Sequence, residues 1–133
     1  MAGIPKFDRE EVLLRAAREF ADRGYEGASV SRLVAATGLL RGSLYGAFGS
    51  KAELFQRAFA EAVERADPDL TIDLLTVALR ERAQADAVVA GLVRAVLATL
   101  DRESGSAGEL IFGRLVRRAG LSPHHPKEDA AHG

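Results

Sequence analysis

The sequence predicts an all-α chain, and three observations carry that expectation. Apolar residues recur with the 3.6-residue period of helices, no segment sustains the two-residue alternation of a strand, and helix-start and helix-stop residues punctuate the chain at short intervals. With 133 residues, 47% of them hydrophobic, and no cysteine, the chain can bury a core without disulfides or thiolate metal sites. Charged residues make up 28% and sum to −1, a mixed-sign composition that argues against global disorder. All apolar runs fall short of the ~20 residues that span a bilayer. The N-terminus carries no basic-then-apolar leader pattern. A soluble, cytoplasmic protein with no membrane partner is expected.

The first seven residues, through Ile4 and Pro5, read as a frayed arm. Asp8 is an N-cap with Glu11 three residues on, and Phe7 is placed to staple onto Val12. Val12, Leu13, Ala16, Ala17, Phe20 and Ala21 form one apolar face, and Gly24 stops that helix. Ser29 caps a short second helix that turns Val30, Leu33 and Val34 inward and ends at Gly38. Arg41 to about Ala47 makes two turns of a third helix, closed by Gly49. Ser50 and Glu53 form a capping box for a fourth, carrying Leu54, Phe55, Ala58, Phe59, Ala62 and Val63.

Asp67 and Pro68 break that helix and open a fifth, which buries Ile72, Leu75, Ala78 and Leu79. Asp86 caps a sixth with Val89, Val93, Val96, Leu97 and Leu100, unless the fifth and sixth run together. Residues 104–108 read as a loop. Leu110, Ile111, Leu115 and Val116 mark a last helix ending at Gly120. Residues 122–133 hold two prolines and charges without an apolar anchor, and are expected to be disordered.

The second and third helices, joined at Gly38, make a helix-turn-helix candidate. In such a motif the first helix crosses the phosphate backbone and the second presents its N-terminal residues to the major groove. Charge agrees with this. Between Gly27 and Ala52 there is no Asp or Glu, while Arg32, Arg41 and Lys51 all fall inside; Glu61, Glu64, Asp67, Asp69 and Asp73 follow later. Segregated charge of this kind steers a polyanion to one face.

Two stretches go further. Ala16-Ala17-Arg18-Glu19-Phe20 through Gly24-Tyr25-Glu26-Gly27-Ala28-Ser29-Val30 to Gly38, and Arg41-Gly42-Ser43-Leu44-Tyr45-Gly46-Ala47-Phe48-Gly49-Ser50-Lys51-Ala52-Glu53-Leu54-Phe55, resemble the N-terminal domain of the TetR family of transcriptional regulators. The resemblance covers roughly residues 8–60. It implies a homeodomain-like three-helix domain over residues 8–56 that binds double-stranded DNA, with a short helical dimerisation or effector region over 57–121. It implies a regulator, as a rule a repressor, that meets a pseudo-palindromic operator as a homodimer.

The DNA-binding residues it implies are Ser29, Arg41, Gly42, Ser43, Tyr45 and Lys51. Ser29 caps the second helix, whose amide end can also meet a phosphate. Tyr45 matches the family's phosphate-contacting tyrosine; the other reading is a half-buried ring of the core with a wet hydroxyl. Lys51 opposes the dipole of its helix, which suits a nearby phosphate better than stability alone. Arg41 opens the recognition helix and can pair bidentately with guanine, or else hold a phosphate. Phe20, Leu33, Leu44 and Phe48 belong to the core.

The chain also departs from the family. Leu40 stands where many members carry a capping Ser or Thr, so the recognition helix starts less firmly, by ~1 kcal/mol. Gly46 replaces a bulkier neighbour of the tyrosine, which leaves specificity either modest or dependent on DNA shape. Family members usually enclose a small-molecule effector in five or more further helices, whereas 65 residues follow Pro68 here. An effector site is then either small and shared across a dimer, or absent.

No catalytic constellation is found. His124, His125 and His132 all lie in the tail, which leaves no preorganised base and no rigid metal site. Asp69 and Asp73 read as a solvated helix face. Arg114, Arg117 and Arg118 complement the dipole at a helix C-terminus. No enzyme activity, cofactor or metal is expected. The rival reading is a helical interaction protein, or a shortened regulator, that heterodimerises with a full-length relative instead of binding DNA.

Overall fold

Local caps set the order of helices in the computed structural model, which describes residues 7–121. Seven α-helices and one π-helical turn account for most of it, and no strand occurs among the described residues. Helix α1 spans Arg9–Arg23, α2 Val30–Thr37, α3 Arg41–Phe48 and α4 Lys51–Glu64. Helix α5 covers Pro68–Val77 and runs into the π-helical turn Ala78–Arg82; α6 covers Ala87–Ser104 and α7 Ala107–Arg118. The helices expected from sequence are all found. The arm at Ile4 and Pro5 and the tail from Ser122 lie outside the described residues.

Most of these starts have a side-chain cap. Asp8 accepts from the N–H groups of Glu10 and Glu11, Ser29 from Arg32, Asp67 from Leu70 and Ser106 from Glu109. Ser50 and Glu53 complete a reciprocal capping box. At α1 the box is one-sided, because Glu11 turns its carboxylate to Arg15 at 3.1 Å.

Helix α5 packs against α1 and α4. Leu70 through Leu75 are all buried, Asp73 among them with 7% exposure. The expectation of a solvated face at Asp73 is therefore corrected, although Asp69 is exposed. Leu79, expected inside, is 46% exposed. The i→i+5 bond from Ala83 to Ala78 inserts a π turn, which changes the register and carries Leu79 outward. A turn over residues 83–85 separates α5 from α6, so these helices do not run together.

The described residues fall into two compact units, one up to Val96 and the other from Leu97. In the first, Val89, Val93 and Val96 are buried within the single chain, so they supply no exposed apolar patch. In the second, the expected five-residue loop shrinks to Gly105 and Ser106. Asp101 accepts the N–H of Ala107 at 2.7 Å and Ser106 caps α7, so the helix begins three residues before Leu110. Phe112 is 65% exposed and Leu115 is also exposed.

Candidate nucleic-acid interface

The geometry of the interface follows from what α2 and α3 bury. Leu33 of α2 and Leu44 and Phe48 of α3 are inside, with Phe20 of α1 and Leu54, Phe55 and Phe59 of α4. Burying these large side chains fixes the opposite faces of α2 and α3 outward. Gly38 makes the turn between them at φ +77° and ψ +5°, a left-handed conformation that glycine adopts without strain. Thr37 reinforces it: its hydroxyl donates to the Leu33 carbonyl at 2.8 Å and accepts from the Leu39 N–H at 3.3 Å.

Helix α3 is held at its other end too. Arg9 donates to the Ala47 carbonyl at 3.2 Å, and its guanidinium lies 4.8 Å from the centre of the Phe48 ring. The ring of Phe7 approaches Phe48 at 6.3 Å. Neither Thr37 nor Arg9 stands out in the sequence, because a lone Thr or Arg carries no spacing signal.

The candidate residues occupy this frame as follows. Arg41 and Gly42 are exposed in the first turn of α3, and Ser43 beside them is half-buried. Leu40 takes the N-cap position without a side-chain bond and is 76% exposed. Gly42 and Gly46 have open space where a Cβ would project, so packing does not demand glycine at either position. Ser29 is exposed at the start of α2, with its hydroxyl committed to the Arg32 N–H.

Tyr45 is half-buried, and its hydroxyl oxygen is shielded without a hydrogen-bond partner among the described residues. Burial raises its pKa, against an opposing pull from Arg41. The ring is half-buried as the core reading has it, but the hydroxyl is shielded where that reading has it wet. Lys51 is half-buried, with its ammonium 4.7 Å from the centre of the Tyr25 ring. That aromatic partner supplies a structural reason for the lysine which the sequence does not reveal.

A three-helix core whose last two helices meet at a left-handed glycine, with an exposed acid-free start to the second of them, defines a helix-turn-helix domain. Residues 12–58 match the bacterial regulatory proteins of the tetR family. These residues carry a domain that is similar to the DNA-binding domain of that family.

The chain is 51% identical over 51 residues to the HTH-type transcriptional repressor AcnR of Corynebacterium efficiens and, equally, to that of Corynebacterium glutamicum. In each case the match covers 38% of this chain and 27% of the relative. It is 41% identical over 59 residues to an uncharacterized HTH-type transcriptional regulator, YezE, of Bacillus subtilis, covering 44% of this chain and 30% of that one. The chain thus matches between a quarter and a third of the length of these relatives. No solved structure matches it.

Among the described residues, no group of three His, Cys, Asp or Glu side chains could hold a metal ion. No helix there is long and apolar enough to cross a membrane.

Proposed function

We propose that the chain is a DNA-binding transcriptional regulator, a repressor that meets a pseudo-palindromic operator as a homodimer. The observation that carries this reading is the exposed, acid-free start of α3 on a helix-turn-helix frame. Its N-terminal turn offers Arg41, Gly42 and Ser43 to a groove, while Ser29, Tyr45 and Lys51 flank it as phosphate contacts. For Tyr45 this role requires the side chain to turn its shielded hydroxyl outward on binding. The repressor sense is supported by the names of the AcnR relatives. The exposed apolar residues of α7 support a dimer. On this reading residues 8–56 bind DNA and residues 57–121 serve dimerisation.

The test is an operator selection from a random duplex library with the full chain, followed by salt titrations on the selected and a scrambled duplex. An inverted repeat should emerge, and log affinity should fall linearly with log salt on both duplexes. A chain that binds neither duplex at low salt overturns the DNA reading and leaves heterodimerisation with a relative as its role.

A further inference from the structure

Tyr25 sits in the loop after α1 and is buried, its ring plane set by two aromatic neighbours. It stacks on Phe20 with centres 5.8 Å apart and meets the edge geometry of Phe55 at 5.6 Å. Two cations lie over this one ring: the Lys51 ammonium at 4.7 Å and the Arg82 guanidinium at 4.3 Å from its centre. The π-helical turn grips the same loop by its backbone. Glu81 accepts the N–H of Tyr25 at 3.2 Å and that of Glu26 at 3.0 Å. Gly24, at φ +83°, leaves room for that carboxylate, since a Cβ there would lie 2.6 Å from Glu81 Oε2.

The two cations differ in their remaining partners. Arg82 pairs with Asp86 at 3.4 Å, and Asp86 is held in turn by Gln56. Lys51 has no ion pair among the described residues. Its charge is steadied by the π face of Tyr25 and left for an anion, at a helix start where the dipole disfavours a cation. A free lysine arm loses rotamer freedom on meeting a phosphate, and an arm already resting on a fixed ring loses less.

We propose that Tyr25 is a positioning residue for a phosphate contact by Lys51, and that Glu81 and Arg82 of the π-helical turn hold the ring in place. The proposal rests on the DNA-binding reading above. It makes the turn at 78–82 a determinant of DNA affinity, although the turn lies outside the matched domain.

The experiment is a double-mutant cycle on the full chain, with a fluorescein-labelled duplex of scrambled sequence read by anisotropy at several salt concentrations. Lys51→Ala should weaken binding and lower the log–log salt slope by about one unit per bound protomer. Tyr25→Leu, which keeps apolar bulk without a π face, should weaken binding roughly 2- to 5-fold. Tyr25→Phe should restore most of that loss. In the Lys51→Ala background, Tyr25→Leu should cost nothing further.

Losses that simply add, or a tighter-binding Tyr25→Leu, overturn the positioning role while leaving DNA binding intact. A parent that binds no duplex sinks the DNA-binding reading, and this inference with it. Should Tyr25→Leu fail to fold by circular dichroism, Glu81→Gln carries the same cycle. Without its charge the side chain holds the two loop N–H groups less firmly, and that loss too must vanish with Lys51→Ala.

Discussion

Gln56 donates from Nε2 to both carboxylate oxygens of Asp86, at 3.2 and 2.9 Å. The pair ties the middle of α4 to the start of α6, because Asp86 also accepts the N–H groups of Val88 and Val89. Arg82 completes the set. One carboxylate thus caps a helix, anchors a second helix and orients the arginine that lies over Tyr25.

That convergence predicts a pH-dependent stability. Burial pushes the Asp86 carboxyl upward, but the bonds from Gln56, Val89, Val88 and Arg82 outweigh it and hold its pKa below the ordinary 3.8. With the folded value depressed, the stabilisation is present above the unfolded value and lost as pH falls through the folded one. Asp86→Asn should therefore cost about 1–2 kcal/mol at pH 7, and the gap should begin to narrow once the pH falls below about 4, where the unfolded carboxyl starts to protonate. Urea unfolding of parent and variant at pH 7 and pH 3 checks this. A gap of equal size at both would show that charge on Asp86 contributes nothing.

A second prediction concerns the start of the recognition helix. Leu40 holds an extended N-cap backbone, φ −70° and ψ 156°, with no side-chain bond to the first turn. Serine at that backbone can accept an N–H that now lacks an internal partner, and removal of an exposed leucine forfeits little burial. Leu40→Ser should stabilise the chain by ~1 kcal/mol, seen as a rise of several degrees in Tm. An unchanged or lower Tm would mean that Leu40 packs in solution.

Local sequence encodes some of these features and not others. The starts of α1, α2, α4 and α5 were legible because a cap and its helix are neighbours, as with Ser50 and Glu53 or Asp67 and Pro68. The core residues Phe20, Leu33, Leu44 and Phe48 were legible from periodicity. Glu81 was not, since its partners Tyr25 and Glu26 stand 56 and 55 residues away and no local spacing encodes them. The outward turn of Leu79 was hidden for a related reason: one extra residue in a turn breaks the period that the reading assumes. Lys51 is unusual in the sequence because a cation there opposes its helix dipole, but its ring partner emerges only from the fold.

A third prediction addresses assembly. Burial of Val89, Val93 and Val96 leaves α7 as the stronger source of exposed apolar surface, through Phe112 and Leu115. If that surface pairs two copies, the parent sediments as a dimer at micromolar concentration, and Phe112→Lys shifts it to monomer with little loss of helicity. A monomeric parent would remove the basis for a two-fold operator.

The last prediction separates base reading from backbone contact at the start of α3. Arg41 is exposed at the first helical position, with Gly42 beside it adding no side chain. A guanidinium so placed can reach two acceptors of guanine in a fork, and loss of such a pair costs ~1–3 kcal/mol on the right site. Arg41→Ala should therefore weaken binding to the selected operator by that amount and relax preference at one position in each half-site. Its effect on a scrambled duplex should be much smaller. For a two-fold dimer the two affected positions should fall in half-sites about 34–36 Å apart, or a multiple of that spacing. Titration of parent and variant on both duplexes, with a repeat of the selection using the variant, measures each of these. Equal losses on operator and scrambled DNA would make Arg41 a phosphate contact, and would place sequence preference in the shape of the DNA.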